Sequence, residues 1–332
     1  MRFHALAILI GLAACGEDSI SLDDFEAEIV KAQCKVFTRC GATESVDSCL
    51  HANFASGRLS ASVQAIFDMG KAKYDGAKAR ECLDGLASES CDTTSKSARV
   101  QPAACDALAS GTIHDAGTCG NSLECISQKC TIPTCGTPCC QGTCTGDSKP
   151  VDAKLGESCT NASCVAGTHC DTTSTTCVAL KPSGMACTTS TECDYGLACT
   201  GTTARTCAAL PKLDEACSGQ CRDIGTACSP TTQTCVKLGF ANAPCTSSAE
   251  CGIAYRCNAA KVCAPGIALG ASCVANDFCA DTGAFCDVPM GQTMGTCTLP
   301  KPDGQMCQRN SNCEHRNCDP VSLMCAPEAV CI

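Results

Sequence analysis

The sequence predicts small disulfide-rich tandem repeats, built of short β-hairpins and mostly irregular backbone, preceded by a small α-helical domain. Three observations carry that prediction. Cysteine accounts for 39 of 332 residues, while aromatics are 3% and Trp is absent. Such a composition belongs to disulfide scaffolds rather than to one large greasy core. The cysteines are also uneven, with six in residues 16–115 and thirty-two in residues 116–332. The later ones recur in ordered fours at a spacing near 28 residues, a period that marks an array rather than a single globule.

The chain therefore divides into residues 1–14, 15–115, 116–150 and 151–332. Met1-Arg2 supplies one positive charge, and Ala5 to Ala14 is an unbroken run of apolar or small residues. That run is shorter than the roughly 20 residues a membrane-spanning helix needs, but it fits the core of a secretory signal. It closes on Leu12-Ala13-Ala14-Cys15, which resembles a bacterial lipobox. The resemblance implies cleavage before Cys15 and a lipid on it, so that the membrane is a partner through that lipid. Gly16, in place of Asp, implies outer-membrane sorting by the same resemblance. Removing residues 1–14 takes away Arg2 and no acid, moving the net charge from −10 to −11. No basic stripe is present, which argues against nucleic acid as a partner.

Residues 16–115 carry helical signals. Ser21 can cap a helix whose first turn is acidic, at Asp23 and Asp24. Leu22, Phe25, Ile29, Ala32 and Val36 follow at spacings of three and four, one apolar face, and Gly41 suits a left-handed stop. Further short helices are expected over 46–55, 61–69 and from Asp75 to about Ala87, with a fifth after Pro102. Phe25, Phe37, Phe54, Phe67 and Leu83 are the expected core. Six cysteines allow fifteen pairings. Proximity in the chain favours Cys40–Cys49 and Cys82–Cys91, which leaves Cys34–Cys105. His51 and His114 read as surface histidines.

In residues 151–332 the clearest repeat is Cys187, Cys193, Cys199 and Cys207. Others begin at Cys159, Cys217, Cys245, Cys273 and Cys307. Gly stands three residues before the third cysteine at Gly167, Gly196, Gly225 and Gly283, and a polar residue follows that cysteine, as Asp171 or Asn258. Those residues suit a tight turn, so each repeat is read as a hairpin. A unit of about 28 residues is too small to fold unaided, and crosslinks contribute about 2–4 kcal/mol each. The cysteines are therefore expected to be structural. Residues 116–150 hold seven, ending Cys139-Cys140-Gln141-Gly142-Thr143-Cys144. With Glu124-Cys125 and Glu192-Cys193-x-x-Gly196-x-x-Cys199, this segment resembles the Dickkopf N-terminal cysteine-rich domain. It is also similar to bacterial cysteine-rich lipoproteins that join a helical region to such repeats. The resemblance implies architecture, and no activity is carried over from it.

An odd count in the first unit, with Cys331 left over at the end, allows two readings: disulfides between neighbouring repeats that give a stiffened rod, or two free thiols or an irregular pairing at the ends. Cys217-x3-Cys221 and Cys135-x3-Cys139 are the zinc half-site patterns. Most other gaps are five to seven residues, unlike a zinc array, so no metal and no cofactor is expected. No P-loop, EF-hand or G-x-S-x-G elbow is present. His169 and His315 have no counterparts in other repeats, and Asn161-Ala162-Ser163 is a lone glycosylation triplet. No catalytic residue is assigned. The expected function is a lipid-anchored cell-envelope protein, with a structural or binding role, that presents the array to a protein or cell-surface partner. The rival readings are a secreted inhibitor or toxin-like protein, a hydrolase in residues 16–115 and a metal-storage protein.

Overall fold

The computed structural model describes residues 19–327, apart from 54–60, 135–139, 150, 161, 276, 281, 282, 290 and 316. Cys15, Phe54, Cys135, Cys139, Asn161 and Cys331 lie outside the described residues. The N-terminal region is helical: α1 Leu22–Arg39, α2 Val46–Asn53, α3 Ala61–Asp68, α4 Gly76–Ala87 and two single turns, α5 Lys96–Arg99 and α6 Ala103–Asp106. Helix starts follow local chemistry. Ser21 Oγ accepts the Asp24 N–H of α1, and Asp75 Oδ1 accepts those of Ala77 and Lys78 in α4. Helix α1 ends at Cys40, and Gly41 takes the left-handed conformation at φ 76°.

The expected single apolar face of α1 is in fact two. Phe25, Ile29 and Ala32 pack on Ala79 and Leu83 of α4, while Val30, Cys34 and Phe37 pack on Cys49 and Leu50 of α2. Helix α1 is the middle layer, so it needs apolar residues towards both neighbours. Phe37 thus belongs to the second cluster, while Phe67 meets the edge of Tyr74. A strand pair that no local pattern announces, β1 Ala72–Tyr74 with β2 Ala109–Gly111, closes the domain antiparallel.

All three expected pairings of this domain are corrected. The bridges are Cys34–Cys49, Cys40–Cys91 and Cys82–Cys105. Chain proximity misleads because helices decide which sulfurs face each other. Cys34 and Cys49 lie in the α1–α2 interface, and Cys82 of α4 faces Cys105 of α6. Cys40, at the end of α1, is then left for Cys91.

Each of the six repeats closes on itself, first cysteine to third and second to fourth. The bridges run Cys159–Cys170 and Cys164–Cys177, Cys187–Cys199 and Cys193–Cys207, and so on through Cys307–Cys318 and Cys313–Cys325. The expectation of bridges between repeats is therefore overturned. The first unit follows the same rule, with Cys119–Cys130 and Cys125–Cys144, so it is a seventh copy carrying an insertion. Cys140, within that insertion, is also disulfide-bonded.

Backbone geometry explains the rule. In repeat one Cys170 and Cys177 face each other across the hairpin, and the same holds for Cys199 and Cys207 in repeat two. The residue three before the first cysteine is left-handed: Gly156, Gly184, Asp214, Asn242, Gly270 and Gly304 all have positive φ. Its N–H donates to the carbonyl of the fourth cysteine, as from Gly184 to Cys207 and from Asn242 to Cys263. That turn lays the first cysteine beside the hairpin. The connector before it then pairs in parallel around the second cysteine, as at Lys181 with Cys193 and Lys301 with Cys313. All four sulfurs are drawn to the unit's own centre. In repeat two the buried cluster is four cysteines with Leu197 packed on them. Sulfur replaces the aliphatic core that a unit of this size lacks.

An acid or amide before the second cysteine caps the short 3-10 turn ahead of it. Glu192 Oε1 accepts the N–H groups of Thr188 and Thr189, and Asn312 Oδ1 those of Gln308 and Arg309. Partial burial opposes ionisation of Glu192, but Lys181 and the Thr188 and Thr189 bonds outweigh it and pull the carboxyl down to about 2. A carboxyl held below its ordinary 4.5 adds stability that is complete above that value and is lost as pH falls towards 2. A 13C-detected titration of Glu192 is expected to show its midpoint near 2, and a midpoint above 4 would remove this cap from the account.

The array is not a free rod. Consecutive repeats dock on the helical domain through backbone hydrogen bonds. Gly196 of repeat two donates to Thr94, Ile224 of repeat three to Cys91, and Ile253 of repeat four to Ala42. In return Thr93 donates to Arg222, and the Arg99 guanidinium donates to Cys193 and lies over the Tyr195 ring. Tyr255 donates its hydroxyl to Glu44. That bond, then burial, pushes the phenol up to about 12. The Cys40–Cys91 bridge joins the two segments that form most of this dock. The first unit is held separately, by Lys71 on the fully buried Glu124 at 3.2 Å.

Candidate binding surface

Among the described residues, hydrogen bonds to the helical domain come from the first unit and from repeats two, three and four. Repeats five and six lie beyond that dock. They are joined by the Lys301–Asp287 ion pair at 2.8 Å and by Gln308 Nε2 donating to the Val288 carbonyl at 3.2 Å. Between them is a cleft of about 760 Å³, walled by Val288 and Pro289 on one side and Met306, Arg309 and Leu323 on the other.

Thirteen large apolar side chains are exposed among the described residues, and eight of them fall in residues 269–324. Scattered exposed apolar residues need no explanation, but a concentration on one part of a surface does. Four of the eight, Met306, Val321, Leu323 and Met324, belong to repeat six and stand where its siblings carry other residues. The residues before the first and fourth cysteines form a cross-strand pair. It is Ser158 with Thr176, Ala186 with Thr206, Ala216 with Thr234, Pro244 with Val262 and Ser272 with Thr296. In repeat six it is Met306 with Met324, the former 65% exposed.

A second position behaves the same way. Two residues before the fourth cysteine, Thr175, Gln233 and Lys261 are polar and left-handed; in repeat six the residue is Leu323, also left-handed at φ 54°. That conformation costs an L-residue roughly 1–2 kcal/mol, and here it also leaves Leu exposed. At the hairpin tip Thr173, Thr202 and Thr231 give way to Val321, which is 90% exposed. The fourth departure is Arg309. Thr189 and Ser247 hold the equivalent place and start a capping box there. Arg has no acceptor, so repeat six forgoes a contribution of about 1 kcal/mol and places a cation on the cleft wall.

The residues singled out in the sequence fall elsewhere. Cys34, Cys40, Cys49, Cys82, Cys91 and Cys105, and Cys187, Cys193, Cys199 and Cys207, are all in bridges. Cys217 and Cys221 are bonded to Cys228 and Cys235, so those sulfurs are not thiolates. Sulfurs of three cysteines come within 4.8 Å of one another in several units, but each such set contains members of the two bridges of that unit. His114 meets Asp147 at 3.0 Å on an exposed loop, and His315 meets Asp303 at 3.1 Å, also exposed. Neither histidine lines the cleft. Met306, Leu323 and Arg309 carry no motif of their own. They emerge only when the six repeats are aligned on their cysteines.

Bridges at this density belong to proteins that leave the reducing cytosol. No helix among the described residues is long and apolar enough to cross a membrane. No family model, curated protein or solved structure matches the chain.

Proposed function

We propose that this chain is a lipid-anchored cell-envelope protein of the bacterial cysteine-rich lipoprotein class, with Dickkopf-like repeats, and that it works by binding a partner through its last two repeats. Cys15 would carry the lipid, and the outer membrane would be its address. The helical domain and repeats two to four form a rigid base, and repeats five and six present the recognition surface. The observation that carries this reading is the concentration of exposed apolar side chains on repeats five and six, which make no hydrogen bond to the helical domain among the described residues. The cleft that serves this role mixes apolar side chains with amides, the Lys301–Asp287 ion pair and the Arg309 guanidinium.

A photo-crosslinking residue placed at Met306 in the native envelope is the direct test. The expected result is one saturable adduct there and none from the same label at Thr202, the exposed tip of repeat two. Equal labelling at the two positions would overturn the reading. Intact mass of the membrane-extracted protein, with Cys15→Ser as control, reads the anchor: wild-type is expected to carry acyl mass that the variant lacks.

A further inference from the structure

The chemistry of the cleft points to a ligand class. Resting on the binding role proposed above, we infer that the cleft between repeats five and six binds an extended peptide segment carrying an apolar side chain beside a carboxylate.

Three properties of the site lead there. Both repeats contribute apolar side chains to the lining, Val288 and Pro289 from repeat five and Met306 and Leu323 from repeat six, so an apolar side chain entering the cleft leaves water against both. Thioether side chains adapt to the shape of what enters. The charges are unequal. Lys301 is neutralised by Asp287, whereas Arg309 has no ion pair among the described residues. A guanidinium on the cleft wall of a chain of net charge −10 calls for an anion from outside, and the fork of Arg suits a carboxylate. Finally, the Gln292 side chain lines the same cleft and offers both a donor and an acceptor to a peptide backbone.

The shape favours a peptide over a bilayer. A lipid surface is met by a protruding apolar face, whereas Val288, Pro289, Met306 and Leu323 line a concavity. Of the five residues that distinguish repeat six, Met306, Leu323 and Arg309 line that concavity, while Val321 and Met324 lie outside it. Repeat six departs from its siblings where a bound segment would touch it.

The test is fluorescence anisotropy of the full chain with three labelled nonapeptides that share a Leu-Met-Phe centre and are flanked by Asp and Glu, by Ser, or by Lys. The acidic peptide is expected to bind, with affinity falling as salt rises. Arg309→Ser and Leu323→Lys should each weaken it by at least about tenfold. Both variants install a residue that repeat four already carries at the same place, so the fold is kept, and an unchanged absence of free thiols checks this. Binding of the three peptides alike, binding unaffected by Arg309→Ser, or no binding at all would overturn the inference. So would attachment to phosphatidylglycerol vesicles that Arg309→Ser abolishes in the absence of peptide binding. A Met306 crosslink to a partner without any preference for acidic peptides would leave the binding role standing and remove this inference alone.

Discussion

Complete reduction with excess dithiothreitol is expected to abolish amide protection throughout the six repeats while much of the helical ellipticity persists. The contrast follows from what fills each centre. The helical domain buries Ile20, Phe25, Ala32, Ala79 and Leu83 together, with Ile29, Tyr74 and Leu86 packed on them. That cluster survives loss of its three bridges, although weakened by about 2–4 kcal/mol for each. Repeat two has four cysteines and Leu197. Opening Cys187–Cys199 and Cys193–Cys207 releases the unfolded chain and leaves nothing apolar of comparable size to hold the hairpin. Native-state hydrogen exchange, read residue by residue, compares the two regions in one sample. Repeats that keep their protection after every thiol is freed would contradict a core made of sulfur.

The second large effect is expected from Gly225→Ala. A Cβ at this position would collide with the carbonyl oxygen of Cys40, and with Gly41 beside it. Both obstacles are backbone at the end of α1, held by the Cys40–Cys91 bridge, so neither can swing aside. Overpacking of this kind typically costs 1–3 kcal/mol. Repeat three can escape by lifting off the domain, which breaks the hydrogen bonds from Ile224 to Cys91 and from Thr93 to Arg222. The variant should keep both bridges of repeat three, show faster exchange at Ile224 and Gly196, and have a larger radius of gyration by small-angle scattering. Wild-type exchange and scattering in the variant would mean that the dock does not persist in solution.

The sequence read alone yields the period, the helix starts and the divide between helical region and array. Those features are local. Ser21 and Asp75 cap the turns that follow them, and cysteine spacing is counted directly. It fails on pairing, because a disulfide joins residues that other elements bring together. Cys40 and Cys91 are 51 residues apart, and nothing near either one announces the other. The dock escapes notice for a similar reason. It is made largely of backbone groups, such as the N–H of Ile253 and the carbonyl of Ala42, and the side chains that join it, such as Arg99 and Tyr255, carry no local pattern that names their partners. The cleft is half legible. Met306, Leu323 and Arg309 look ordinary in one repeat and become exceptions against six. That they share a cleft with Val288 and Pro289 requires the packing of repeat five on repeat six.

The first-to-third, second-to-fourth rule also bears on how such a chain is made and how it changes. Every repeat can finish its own oxidation once some thirty residues have emerged from the export channel, without waiting for a partner thiol still inside. Synthesis and crosslinking can thus advance together from one end, with few sulfurs exposed to wrong partners at any moment. By the same logic a whole unit can be duplicated or dropped in the gene without orphaning a cysteine elsewhere. The number of units is free to drift, and the terminal one is free to diverge.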